Sequence, residues 1–483
     1  MKRSKHNLSH YNLCTFDMGE MVPVNFTEVL PGDTVQGFSS VFMRLSPQLA
    51  PVMHPVETRV HHWYVPYRIL DENFPDFITG GPDGADDYVL PTINTTVTKG
   101  DPLDYMGIPP ATAAPVDVLA YPLMAYNLIY NEWYRDQDLA TERALTDESM
   151  ARIAWGKDYF TSARPWTQKG PQVSIPIGQS APVSISGNGQ PYFDGDQGGG
   201  PYRLQANTGV DAFFNPSSPA NTNLMSWNDP ALTGIADLSS ATGVPVNDLR
   251  AALAIQRYQE NRARYGSRFT EYLRFLGVRS SDGRLQRPEF LGGGRAMVSF
   301  SEVLNTASDP AGTTLDPLGR MGGHGIAALR NRPYRRFFEE HGCIISIVSV
   351  RPRGMYTQGI HKSWLRKTKE QFWQKELEHI GQEAIEGKEI FADSAVAEWG
   401  FNDRYDNYRR IPNRISGDFR DTLNFWHLGR EFSAEPVLNQ SFIDCDPSKR
   451  IFAEQTEDAL WCMVKNTQIA RRLVTRRPTP RIY

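Results

Sequence analysis

From Lys465 to Tyr483 the chain carries Lys465, Arg471, Arg472, Arg476, Arg477 and Arg481 and no acidic residue, with Pro478 and Pro480 between them. Arginine on an extended backbone presents a planar, always-charged fork that suits bidentate phosphate contact and stacking on unpaired bases. A solvated tail, or one that clamps the acidic surface of a neighbouring subunit, would use the same residues. The other end is similar: Lys2, Arg3, Lys5, His6 and His10 precede the first acid, Asp17. With few apolar residues to pack, residues 1–20 read as an arm that is either frayed or in contact with phosphates. The candidate nucleic-acid contacts are therefore Lys2, Arg3, Lys5, Arg471, Arg472, Arg476, Arg477 and Arg481. Net charge is −4, so any such role is local rather than a property of the whole surface.

Catalytic signatures are missing. The Gly-Lys pairs Gly156-Lys157 and Gly387-Lys388 are followed by Asp158 and Glu389, not by the Ser or Thr of a phosphate-cradling loop. Neither Gly198–Gly200 nor Gly292–Gly294 sits in G-x-G-x-x-G, and H-E-x-x-H and G-x-S-x-G do not occur. His61 and His62 are adjacent on an expected strand and point to opposite faces, so they do not chelate one metal. No metal and no cofactor is expected. A carbohydrate-active enzyme or lectin-like protein stays open as an alternative, because two facing carboxylates are a spatial arrangement that spacing does not reveal. The four cysteines, Cys14, Cys343, Cys445 and Cys462, are widely separated and read as reduced thiols. No run reaches the ~18 apolar residues of a membrane span, so no membrane insertion is expected.

The elements that must position these residues are mainly strands. Val56–Val65 is β-branched and aromatic without glycine, and both its faces, Thr58, Val60, His62, Tyr64 and Arg59, His61, Trp63, Val65, are half apolar. Such a strand is covered on both sides. Gly342–Val350 is continuously apolar or small, the pattern of a fully buried strand, and Trp461–Val464 alternates as a shorter one. Further strands are expected within Thr167–Gly178 and Ala181–Gly189. Leu119, Leu123, Tyr126, Tyr130 and Trp133 recur at helical spacing; a second helix runs from an Asn247 cap to Gly277, with an arginine-rich face; Trp364–Ile380 is expected as a third. Between these lie long Gly- and Pro-rich connections, notably 71–115 and 190–243, in a chain of 39 glycines and 34 prolines.

Several stretches also carry a resemblance. EVLPGD (Glu28–Asp33), the segment Arg44–Leu70, LPTINTT (Leu90–Thr96), YNLIYNEWYRD (Tyr126–Asp136), PYRRFFEEHGCIISIVSVRPR (Pro333–Arg353), YDNYRRIPNRISGDFR (Tyr405–Arg420) and WHLGREF (Trp426–Phe432) resemble, in the same order, the major capsid proteins of microviruses, closest to the gokushovirus-like branch. The resemblance implies an eight-stranded antiparallel jelly roll with long loop insertions and a few helices. It implies a single capsid domain over 21–483, a surface protrusion inserted at about 187–246 and a basic C-terminal tail at 465–483. The function it implies is self-assembly, in the bacterial host cytoplasm, into a T=1 icosahedral shell around circular single-stranded DNA. The implied partners are further copies of the chain, the packaged DNA, a small basic DNA-packaging protein, a pilot protein, an internal scaffolding protein and a host cell-surface receptor.

Overall fold

The computed structural model describes residues 3–80, 87–110, 114–171, 286–306 and 319–476, together with residue 173, short strands between 183 and 236, and the helix Val246–Tyr265. Eleven strands build two antiparallel sheets. They are β1 (Ser4–Asn7), β2 (His10–Phe16), β3 (Val22–Val29), β4 (Thr34–Leu45), β5 (Val56–Pro66), β6 (Glu289–Met297), β7 (Ser299–Leu304), β8 (Met321–Arg330), β9 (Tyr334–Phe337), β10 (Gly342–Pro352) and β11 (Leu460–Arg472). Leaving β1, β7 and β9 aside, the strands lie in the orders β2-β11-β4-β8 and β3-β10-β5-β6. Counted along the chain these are 1-8-3-6 and 2-7-4-5, the order produced when a long hairpin is rolled into two Greek keys, which is a jelly roll.

The two strands that pattern singles out are the centre of the second sheet. β10 pairs β5 over its whole length, from Gly342–Pro66 to Pro352–Val56. Its alternate residues serve two cores: Val348 and Val350 face the first sheet, with Val60, Val41, Met43 and Leu460, whereas Cys343, Ile345 and Ile347 face outward against Trp63, Val65 and the helix α1 (Tyr121–Ile129). α1 has Pro122 in its first turn and continues into a single π turn, Tyr130–Tyr134. The expected apolar spacing thus holds, except that Leu119 belongs to a hairpin strand, Val116–Leu119, paired with Thr92–Thr95. The Gly292–Gly294 run is explained by packing: β6 bulges between Phe290 and Gly292, Gly292 has φ +147°, and a Cβ on Gly293 would stand 2.4 Å from the Val60 carbonyl oxygen.

Between the sheets a chain of polar side chains is satisfied internally. The Asn331 amide donates to His62 Nε2 (2.9 Å), so the proton sits on His62 Nδ1, which meets Ser346 Oγ at 2.7 Å. Asn25 donates to the same hydroxyl, and Asn331 Oδ1 accepts from the Ser39 backbone N–H. Buried polar groups held in this way fix register, because a slip would leave each unpaired.

Three expectations are corrected. Residues 4–16 are not a free arm: β1 and β2 together pair along β11, from Ser4–Arg472 to Phe16–Leu460. The basic segment from Lys465 is not a tail at its start, because β11 runs to Arg472 and is hydrogen-bonded to β4 on its other edge. Trp364–Ile380 forms no α-helix; it makes 3-10 turns at Lys362–Trp364, Lys369–Gln371 and Lys375–Leu377. Trp364, Phe372, Trp373 and Ile380 are exposed, so no apolar face is covered to stabilise a continuous helix.

Residues 168–261 form a second compact unit. In it Val183–Ser186 pairs Thr233–Ala236, and Tyr192–Gly195 pairs both Tyr202–Arg203 and Met225–Trp227. Most of the 187–246 window, residues 172 and 174–178 of the first expected strand, residues 181, 182 and 187–189 of the second, and the end of the expected helix beyond Tyr265 lie outside the described residues.

Candidate nucleic-acid and subunit contact surfaces

Pairing with β11 fixes where the basic terminal residues sit. Arg472 Nε lies 2.9 Å from Oδ2 of Asp33, a fully buried carboxylate, so this arginine is engaged inside the subunit. Arg3 donates to the Gly32 carbonyl (3.0 Å) and Thr34 Oγ1 (3.1 Å), and its guanidinium lies 5.6 Å from the Phe337 ring centroid. Lys5 and Arg471 are direct cross-strand partners, both exposed, and Arg476 is exposed beyond the strand. Lys2, Arg477 and Arg481 lie outside the described residues.

The wide face from which Lys5 and Arg471 project was not foreseen. It is the outer surface of the first sheet, where Trp461 opposes Arg44, Met463 opposes Phe42, and Lys465 opposes Ser40 on one side and Tyr11 on the other. Large side chains stand in solvent there: Leu13 is 83% exposed, Tyr11 65%, Trp461 45% and Met463 43%. The alternation of LWCMVKNTQIARR in β11 was the available signal, and the expected strand stopped short of it at Val464.

Two cavities hold clusters of charge. One, of about 620 Å³, is lined by Arg59, Lys157, Arg295, Arg351 and Arg353 against Glu57 and Asp158. Glu57 is shared by Arg59 (2.6 Å), Arg295 (3.6 Å) and Arg351 (3.8 Å). Burial acts to raise the pKa of its carboxyl, but the three guanidiniums together hold it below the ordinary range. The other, of about 390 Å³, has Lys362, Tyr159 and Glu389 in its wall. Lys362 Nζ lies 2.9 Å from Glu383 and 3.7 Å from Glu389, while the Tyr159 hydroxyl donates to Glu389 at 2.9 Å. Burial pushes Glu389 up. Every carboxylate in this cluster is held by a cation or hydroxyl, which is the arrangement of an internal tie between loops.

The histidine pair behaves as its strand position requires. His61 Nδ1 lies 2.7 Å from the Tyr134 hydroxyl on the outer side of β5, and His62 joins the network between the sheets. Among the described residues no group of three His, Cys, Asp or Glu is placed to hold a metal ion. The four cysteines are free and buried, and no helix of the described residues is long and apolar enough to cross a membrane.

Among the segments that carry the resemblance, WHLGREF helps to hold the loops after β10. Arg430, in WHLGREF, lies within 4.0 Å of the Phe442 ring centroid and 5.0 Å of Trp155, and it donates to the Phe442 carbonyl. Arg450 bridges the Gly429 carbonyl and Glu431. Residue types so placed hold the long loops together.

A jelly roll whose long excursions are pinned in this way is a fold used by viral shell subunits. The chain belongs to the family described as capsid protein (F protein), whose model matches residues 1–480. It is 35% identical to capsid protein VP1 of Bdellovibrio phage phiMH2K, covering 99% of this chain and 90% of that one. It is 28% identical to capsid protein VP1 of Chlamydia phage 1 (96% and 92%) and 29% identical to that of Spiroplasma virus 4 (92% and 88%). The protein is thus a capsid protein, a structural, self-associating component of a virion and not an enzyme.

Proposed function

We propose that this chain is the major capsid protein of a gokushovirus-like microvirus, and that copies of it close into a T=1 icosahedral shell around a circular single-stranded DNA genome. The supporting observation is that the family model matches residues 1–480, a range that contains every strand of the jelly roll from the first to the last. Ring-closing contacts need different patches on one subunit, and the long loops between strands supply them. Assembly proceeds in the host cytoplasm with an internal scaffolding protein, a small basic DNA-packaging protein and a pilot protein, and the finished shell meets a cell-surface receptor. Residues around 187–246 form the outward protrusion. Lys2, Arg3, Lys5, Arg471, Arg472, Arg476, Arg477 and Arg481 face the interior and meet DNA phosphates, with Arg3 and Arg472 also tied to the sheet edge.

The test is electron microscopy of particles from a host carrying the phage genes, with nucleic-acid content measured on the same fractions. Uniform small shells that protect single-stranded DNA are expected. A chain that stays a small soluble species and binds or cleaves a polysaccharide would return the reading to a carbohydrate-active sandwich.

A further inference from the structure

We propose that the outer face of the first sheet is a platform for single-stranded nucleic acid, on which unpaired bases stack while the strands' cations hold phosphates. This rests on the reading of the chain as a genome-enclosing subunit and adds to it a binding surface that the terminal tail alone does not provide.

Three observations carry it. First, every charged strand residue that projects from this face is a cation: Lys5, Arg44, Arg330, Arg335, Lys465 and Arg471. Asp458, just before the start of β11, accepts the Thr15 hydroxyl. In a chain with more acids than bases, such a face is segregated charge. Second, Lys5 and Arg471 stand directly opposite each other. Like charges in that position destabilise a sheet unless something anionic lies across them, and among the described residues no carboxylate pairs with either. Third, the cations are interleaved with rings. Lys465 lies 5.4 Å from the Tyr11 centroid, Arg44 5.6 Å from Phe42 and Arg330 4.6 Å from Phe38. Flat rings and guanidinium planes beside positive charge are what sequence-independent single-strand binding uses, since every base has a π face.

The charge also weighs against a second copy docking here through the same face, because two such faces would bring cations against cations. A neighbouring subunit meeting it with a different, acidic patch is the competing occupant.

The experiment uses the full-length chain, recovered as subunits, with a fluorescein-labelled oligo-dT in anisotropy titrations over a salt series. Replacing Arg44, Arg330 and Lys465 by glutamine should lower the log–log salt slope by about 2, at ~0.7 per lost phosphate contact. The pair Tyr11→Ala and Trp461→Ala should weaken binding at every salt concentration and leave the slope unchanged. Because these side chains are exposed, melting curves should match the parent. A measurement needing no variant is photo-crosslinking of a 5-bromodeoxyuridine oligonucleotide to the unaltered protein, which should label peptides containing Tyr11 or Trp461. Parent-like slope and affinity in both variants, with crosslinks confined to residues beyond 472, would overturn the platform and leave tail contact standing. Normal oligonucleotide binding with loss of shell formation would assign the face to a neighbouring subunit. Shells that form normally while the unaltered chain binds no oligonucleotide would overturn both DNA contacts but not the capsid reading.

Discussion

The two sheets of the sandwich are built from similar residues and end up in opposite situations. In the second sheet β5 and β10 are covered on both faces, by the first sheet on one side and by α1 with its aromatic neighbours on the other. In the first sheet β11 buries every second residue and presents Trp461, Met463, Lys465 and Arg471 to the outside. The first arrangement is read from continuous apolar sequence in β10 and from apolar residues on both faces of β5, the second from alternation. What the contrast teaches is that one sheet is buried inside the subunit, while the other leaves a large mixed surface exposed.

The sharpest way to break this contrast is to charge the covered sheet. Ile345→Asp or Val348→Asp places an unpaired carboxylate where the native side chain has no exposure. The cost is several kcal/mol against a total stability of about 5–15. Loss of soluble protein and of the cooperative melt is expected; a normal melt would show that β10 is not doubly buried.

Acid should act on the same sheet next. Burial lowers His61 and His62 to a pKa of about 4, so the folded state holds them neutral while the unfolded chain takes up protons near pH 6.5. The stability they contribute is complete above about 6.5 and is lost as pH falls toward 4, at about 2 kcal/mol for each at pH 5. Urea midpoints between pH 7 and 4.5 should fall accordingly, and His62→Gln should flatten the curve; an unchanged midpoint would refute the neutral pair.

At the junction of the two ends of the chain, Arg472→Gln should leave Asp33 buried without its cation and cost about 2–3 kcal/mol. Equilibrium denaturation measures this directly, and a change under 0.5 kcal/mol would mean that Arg472 is free for other contacts. The smallest effect belongs to the open face: Leu13→Ser and Met463→Ser should shift stability by no more than about 0.5 kcal/mol. A larger shift in the isolated subunit would show that this face is not open.

The chain by itself determined the covered strands, because Gly342–Val350 is continuously apolar or small and Val56–Val65 carries apolar residues on both of its faces. It also determined the charge segregation at the termini and the opposed directions of His61 and His62, which follow from a period of two. Only the tertiary structure decided that residues 4–16 and 465–472 are strands. Their partners come from opposite ends of the chain, and neither segment has the apolar content to reveal the pairing locally; it is the backbone hydrogen bonds to β11, and those of β11 to β4, that make both ordered. The same holds for the open platform. Tyr11, Phe42, Trp461, Arg44 and Lys465 belong to three strands far apart in sequence, and only register brings rings and cations onto one face. Arg472 shows the limit from the other side: by composition it is one more tail cation, yet a single buried carboxylate at Asp33, brought near by folding, ties it to the sheet edge.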